Sequence, residues 1–108
     1  MEKVTLAKTP KAQTLEEVLQ RLRGDMPALR RVYAVRSLGV FGTVARGEQQ
    51  PRSDVDILVD FAHPPTFFQF IELEDRLTDL LGTRADLVMR TALKPRIGDR
   101  ILAEVVDV

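Results

Sequence analysis

Three aspartates and one short loop hold the residues in this chain whose types and spacing could do chemistry. Asp54 and Asp56 stand two positions apart at the head of the apolar run DVDILVDF, residues 54–61. In a strand, residues two apart share a face, so the two carboxylates project together while Val55 and Ile57 project the other way. Two adjacent carboxylates repel one another and resist desolvation, and a divalent cation between them relieves both costs. Carboxylate oxygens suit Mg²⁺ or Mn²⁺, and magnesium sites commonly combine a few carboxylates with substrate phosphates. Asp86 enters the run ADLVM in the same manner, polar ahead of Leu87 and Val88. If that run lies beside the first, three carboxylates converge, enough for two metal ions. The plainer alternative is that Asp54 caps its strand and Asp56 pairs with a nearby arginine.

The loop is Gly42-Thr43-Val44-Ala45-Arg46-Gly47, upstream of the aspartate pair. Gly42 and Gly47 permit backbone conformations and close approaches that other residues forbid. Amides from Thr43 to Arg46, at the start of a helical turn, can form a concavity for an anion. Thr43 adds a hydroxyl and Arg46 a cation, which either neutralises phosphate charge or fixes the loop. A glycine loop by itself is usually a turn. Beside an Asp-x-Asp pair it becomes a phosphate cradle next to a metal site, the combination that binds a metal–nucleoside triphosphate. It is not a Walker loop, because no Gly-Lys-Ser/Thr follows.

The elements that must position these groups alternate between helix and strand. Thr14 and Glu17 form a capping box, and Leu15, Val18, Leu19 and Leu22 share one helical face up to Gly24. Asp25 and Pro27 can open a second short helix running to Val32. Val35 to Phe41 reads as a strand, Asp54 to Phe61 as a buried strand stopped by His63, Pro64 and Pro65, and Arg84 to Met89 as a third strand. Between the last two, Phe70, Leu73, Leu77 and Leu80 mark an amphipathic helix over 66–81 closed by Gly82, and Pro95 to Val106 reads as a final helix. The expected fold class is therefore α/β (α+β), with a small three-stranded sheet flanked by helices. Residues 1–13 lack periodicity and read as an N-terminal arm, leaving 14–108 as one domain.

Composition limits what that domain can be. The chain has 108 residues, 16 basic against 16 acidic side chains, one histidine and no cysteine. Disulfides, thiolate metal sites and thiol nucleophiles are excluded. The balanced charge argues against general nucleic-acid binding, and no apolar run approaches the about 20 residues of a membrane span. A cytoplasmic protein is expected. The balance hides an asymmetry: residues 1–52 carry 10 basic and 5 acidic groups, residues 53–108 carry 6 and 11. Phosphate-binding and cation-binding groups would thus come from different halves and meet near residue 53. Chance and mutual attraction of two halves explain it equally well.

Taken together, Phe41-Gly42-Thr43-Val44-Ala45-Arg46-Gly47, Ser53-Asp54-Val55-Asp56 and the later Ala85-Asp86-Leu87-Val88 resemble the signature of the minimal nucleotidyltransferases, small members of the DNA polymerase β-like superfamily. The likeness spans Val35 to Met89 and departs at Thr43, where the family usually has serine. It implies a polymerase β-like palm fold with a mixed sheet. It further implies that Gly42, Thr43, Arg46, Gly47 and Ser53 contact the nucleotide, and that Asp54, Asp56 and Asp86 hold two Mg²⁺ ions, or Mn²⁺. Asp86 would serve the metal that activates the acceptor hydroxyl. The implied substrate is ATP and the implied reaction is AMP transfer with release of pyrophosphate. In the family, proteins of this size are often antitoxins paired with a helical HEPN-domain toxin, so the resemblance implies a prokaryotic source and a tyrosine of that partner as acceptor. The competing reading is an antitoxin that neutralises its partner by binding, with the chemistry slow or lost.

Overall fold

The computed structural model describes residues 9–50 and 53–108. Of the expected arm, residues 1–8 lie outside the described residues, as do Pro51 and Arg52 in the loop before the aspartate pair. Residues 9–13 are laid onto the domain: Ala12 is buried and its N–H donates to the Leu81 carbonyl at 2.8 Å. The Arg21 guanidinium donates to the Pro10 carbonyl at 2.6 Å.

One helix, α1 (Leu15–Tyr33), replaces the two short helices expected on either side of Gly24. Its start is as expected: Thr14 caps the Glu17 N–H at 3.1 Å, and the Glu17 carboxylate accepts from the Gln13 N–H. It continues because Met26 and Leu29 follow Leu22 at spacings of 4 and 3, so the buried face runs unbroken past Gly24 and Pro27. Tertiary packing of that face outweighs the local cost of a glycine and a proline. Asp25, read as a helix start, instead accepts two hydrogen bonds from Arg76 at 2.8 Å each, joining α1 to the next long helix.

Strands β1 (Val35–Phe41), β2 (Val55–Phe61) and β3 (Ala85–Met89) fall within a residue of expectation, with the one-turn helix α2 (Gly42–Ala45) after β1 and α3 (Phe67–Leu81) between β2 and β3. Thr66 caps α3 through a reciprocal capping box with Gln69, and Gly82 ends it at φ 68°. The sheet has four strands, not three. Its order is β3-β2-β1-β4, with β2 parallel to β3 and both other pairs antiparallel. The added strand β4 (Val106–Asp107) pairs with Gly39 and Val40 of β1, so the final helix α4 (Pro95–Glu104) stops before Val105 and Val106. Two residues are too few to announce a strand by alternation. Only the free edge of β1 makes them one.

Alternation along the strands sorts the sheet into two faces. Val55, Ile57 and Val59 of β2, Leu38 and Val40 of β1, and Ala85 and Leu87 of β3 join the core beneath α1 and α3, whose Leu22, Leu29, Leu73, Leu77 and Leu81 are fully buried. The other edge strand, β3, is protected by α3: Thr78 Oγ1 accepts from the Ala85 N–H at 3.0 Å and the Glu74 carboxylate from the Leu87 N–H at 3.1 Å. Among the described residues no helix is long and apolar enough to cross a membrane.

Candidate active site

The face of the sheet opposite the core carries the aspartates. Register places them together: Phe41 pairs with Asp56 across the β1–β2 ladder, and Asp56 pairs with Asp86 across the β2–β3 ladder. Neighbouring strands lie about 4.8 Å apart, so Asp56 and Asp86 are side-by-side neighbours on one face. Asp54, the residue before β2, is exposed, and its charge acts on Asp56. Gly42 directly follows Phe41, which sets the glycine loop against Asp56. The register thus brings Asp56, Asp86 and the glycine loop together, while Asp54 lies just before β2, outside the ladder.

Electrostatics at Asp56 record that crowding. Burial raises its carboxyl above the ordinary carboxylate range, and the charges of Asp86, Asp54 and Glu104 push it further, while Arg46 pulls the other way. No ion pair among the described residues engages Asp56, so the arginine partner of the plainer reading is not found there. Among the described residues Asp54 has one loose contact, 3.9 Å from the Arg84 guanidinium. Among the described residues no three acidic or imidazole groups close around a single point as a ready metal cage. The donor set nevertheless fits a hard divalent cation, since magnesium is commonly held by one or two carboxylates with substrate phosphates and water completing its shell.

Gly42 is fixed by geometry that no other residue satisfies. Its φ is 77°, and a Cβ there would collide with Asp56 Oδ2. Gly47 also has a positive φ, 71°, but a Cβ would meet nothing within 4 Å, so Gly47 turns the chain and does not permit a close approach. Its N–H donates to the Val44 carbonyl at 3.1 Å. Thr43 is half-buried at the head of α2, where helix geometry leaves its amide without an intrahelical acceptor. Ser53 closes the loop locally: its Oγ accepts from the Gln50 N–H at 2.7 Å and its own N–H donates to the Gln50 carbonyl. Arg46 contacts Glu48 at 3.0 Å and Glu104 at 2.9 Å, so in this structure it fixes the loop, one of its two expected roles.

Glu104, at the end of α4, was invisible to motif reasoning. One of its oxygens accepts from the Gly42 N–H at 2.8 Å and the other from Arg46 Nη1 at 2.9 Å. The Gly42 N–H above all, with Arg46 adding to it and partial burial opposing, holds this carboxyl below its ordinary range. Sixty-two positions separate it from Gly42, and no local periodicity spans that distance. The aromatic side chains Phe67 and Phe68 are exposed and meet edge to face, while Phe70 packs on the core.

A mixed four-stranded sheet with a glycine loop set against neighbouring aspartates fits a nucleotidyltransferase. The chain belongs to the nucleotidyltransferase domain family, whose model matches residues 15–108. Within that family it falls among the minimal nucleotidyltransferases. It is 50% identical over 95 residues to the protein adenylyltransferase MntA of Thermococcus cleftensis, covering 88% of this chain and 96% of that one. A candidate protein adenylyltransferase of Methanocaldococcus jannaschii is 45% identical over 82 residues, 76% of this chain and 84% of the relative. Among solved structures, a candidate minimal nucleotidyltransferase superposes with a TM-score of 0.78 at 32% identity, covering 92% of this chain and all of the other. A toxin–antitoxin structure with AMP-PNP shares the fold at a TM-score of 0.63 and 22% identity, covering 83% of this chain and 68% of that one.

Proposed function

We propose that this chain is a metal-dependent protein adenylyltransferase that moves AMP from ATP to a tyrosine hydroxyl of a HEPN-type partner in the cytoplasm. The observation that carries the reading is the register Phe41–Asp56–Asp86, which sets the Gly42 loop beside two neighbouring carboxylates on one open face. The name of the half-identical relative supports a protein acceptor, and a neighbour in which an AMPylated HEPN toxin of Shewanella oneidensis is bound to its MNT antitoxin supports the class of partner. The loop at Gly42 and Thr43 would receive the terminal phosphates, with the Thr43 amide and hydroxyl donating to them, since the Gly42 N–H is held by Glu104. Asp54 and Asp56, with Asp86, would hold divalent cations, which offset phosphate charge and activate the acceptor hydroxyl when bound. The acceptor oxygen forms its bond to the α-phosphorus as the bond to pyrophosphate breaks, and the acceptor proton passes to Asp86 or solvent. Such transfer asks of the protein mainly positioning and charge compensation, which residues on a rigid sheet supply.

The occlusion reading has one observation of its own: Phe67 and Phe68, 73% and 78% exposed, form an aromatic pair beyond the far end of β2 from Asp56. They could seat a partner without any chemistry at the aspartates. Calorimetry of ATP with Mg²⁺, followed by transfer of α-labelled AMP to a co-expressed HEPN partner, separates the two. The transferase reading expects metal-dependent ATP binding and labelling of the partner, both lost in Asp54→Ala/Asp56→Ala while partner binding persists. Neutralisation of the partner unchanged in the double variant would refute it.

A further inference from the structure

Glu104 is an acidic side chain that reaches the loop from the C-terminal helix and not from the sheet. Its two oxygens are divided between the Gly42 N–H and Arg46, and through them the C-terminal helix α4 is tied to the loop. The side chain is only partly accessible, 29% exposed, and β4, two residues on, is held on β1 beside the same loop. Three constraints then meet at Gly42: its carboxylate acceptor on one side, Asp56 Oδ2 against its Cα on the other, and the β1–β2 ladder behind it. We propose that Glu104 is a positioning residue for nucleotide transfer, a clamp that fixes the Gly42–Arg46 loop in its nucleotide-ready conformation by accepting from the Gly42 N–H.

This role rests on the transferase reading above and adds a residue to it. A carboxylate so close to a triphosphate site would by itself repel the substrate. Arg46 lies on the same carboxylate and offsets that charge locally. Without the acceptor, the loop regains backbone freedom that nucleotide binding must then remove, and one residue's worth corresponds to a loss of affinity of about tenfold. Glutamine keeps an oxygen for the Gly42 N–H and removes the negative charge. Positioning and repulsion therefore predict opposite signs for alanine and the same sign for glutamine.

The test uses the full chain with Glu104→Ala and Glu104→Gln, each first shown to be folded by circular dichroism. Calorimetry of ATP with Mg²⁺ and amide hydrogen exchange at Gly42 are the two readouts. The clamp predicts about tenfold weaker ATP binding and faster Gly42 exchange in the alanine variant. It predicts natural or tighter binding and retained protection in the glutamine variant. Alanine binding ATP as well as or better than the natural chain, or equal losses in both variants, would overturn it. If the natural chain binds no ATP, the transferase reading fails and the positioning role falls with it; faster Gly42 exchange in the alanine variant then shows only that Glu104 holds the loop, and unchanged exchange overturns that as well.

Discussion

Asp56→Asn should make the nucleotide-free protein more stable while removing its capacity for metal-dependent ATP binding. Asp56 and Asp86 are register partners on adjacent strands, so their backbone positions stand about 5 Å apart, which sets the scale of the charge separation. Two like charges at that distance repel by about 0.8 kcal/mol in water and about 3 kcal/mol at the effective dielectric of a protein surface. Asp56 is half-buried and Asp86 exposed, so solvent screening favours the lower figure. Desolvation of Asp56 and the charge of Asp54 add to the repulsion, while Arg46 subtracts from it. A net gain of about 1 kcal/mol follows for the isosteric amide, equivalent to roughly 4–8 °C in Tm for a domain of this size. The sign with pH is the reverse of an ordinary salt-bridged aspartate. A carboxyl raised by folding favours the folded state when protonated, and that contribution is lost as pH rises through the folded value. The advantage of Asp56→Asn should therefore be present at neutral pH and vanish in acid. Thermal unfolding by circular dichroism in EDTA at pH 7.5 and pH 4 measures it directly. A lower Tm for Asp56→Asn at pH 7.5 would refute the account of a strained carboxylate pair, and ATP affinity in Mg²⁺ equal to that of the natural chain would refute its role in the site.

Gly42→Ala should cost stability by about 1–2 kcal/mol through its left-handed backbone and displace Asp56, so that urea unfolding and ATP calorimetry both register a loss. Gly47→Ala, strained in backbone but meeting no neighbour, should lose stability while keeping more of its ATP affinity. Thr43→Val should weaken ATP binding about tenfold, the worth of one hydrogen bond to a charged group, and Thr43→Ser should retain it. Arg76→Ala removes the two-pronged contact with Asp25 that joins α3 to α1, and should lower unfolding stability by about 1 kcal/mol with no change in ATP affinity. The Glu104 carboxyl, lowered by folding, contributes stability above the usual carboxylate range that is lost as pH falls through its folded value, so Glu104→Gln should flatten that part of the acid-unfolding curve.

What the sequence determined by itself was local. Strand periodicity placed Asp54 and Asp56 on one face opposite Val55 and Ile57, and turn chemistry placed Gly42 and Gly47 in a loop, because both follow from backbone geometry within a few residues. The Thr14 cap and the Gly82 stop were equally legible. Tertiary structure decided everything that needed a partner from elsewhere in the chain. Met26 and Leu29 carried α1 through Gly24 and Pro27 because a packed core rewarded the continuous face, which local propensity opposed. Val106 and Asp107 became a strand because β1 had an open edge. Ser53 and Arg46 carried family-pattern identities, yet the structure engages them in fixing their own loop. Glu104 reached Gly42 across the whole length of the sheet-forming segment, and Asp56 met Asp86 through a parallel register set by α3 and the buried faces of two strands. Hydrophobic burial aligns those faces without reference to the aspartates, and the site is where their alignment leaves the charged groups together.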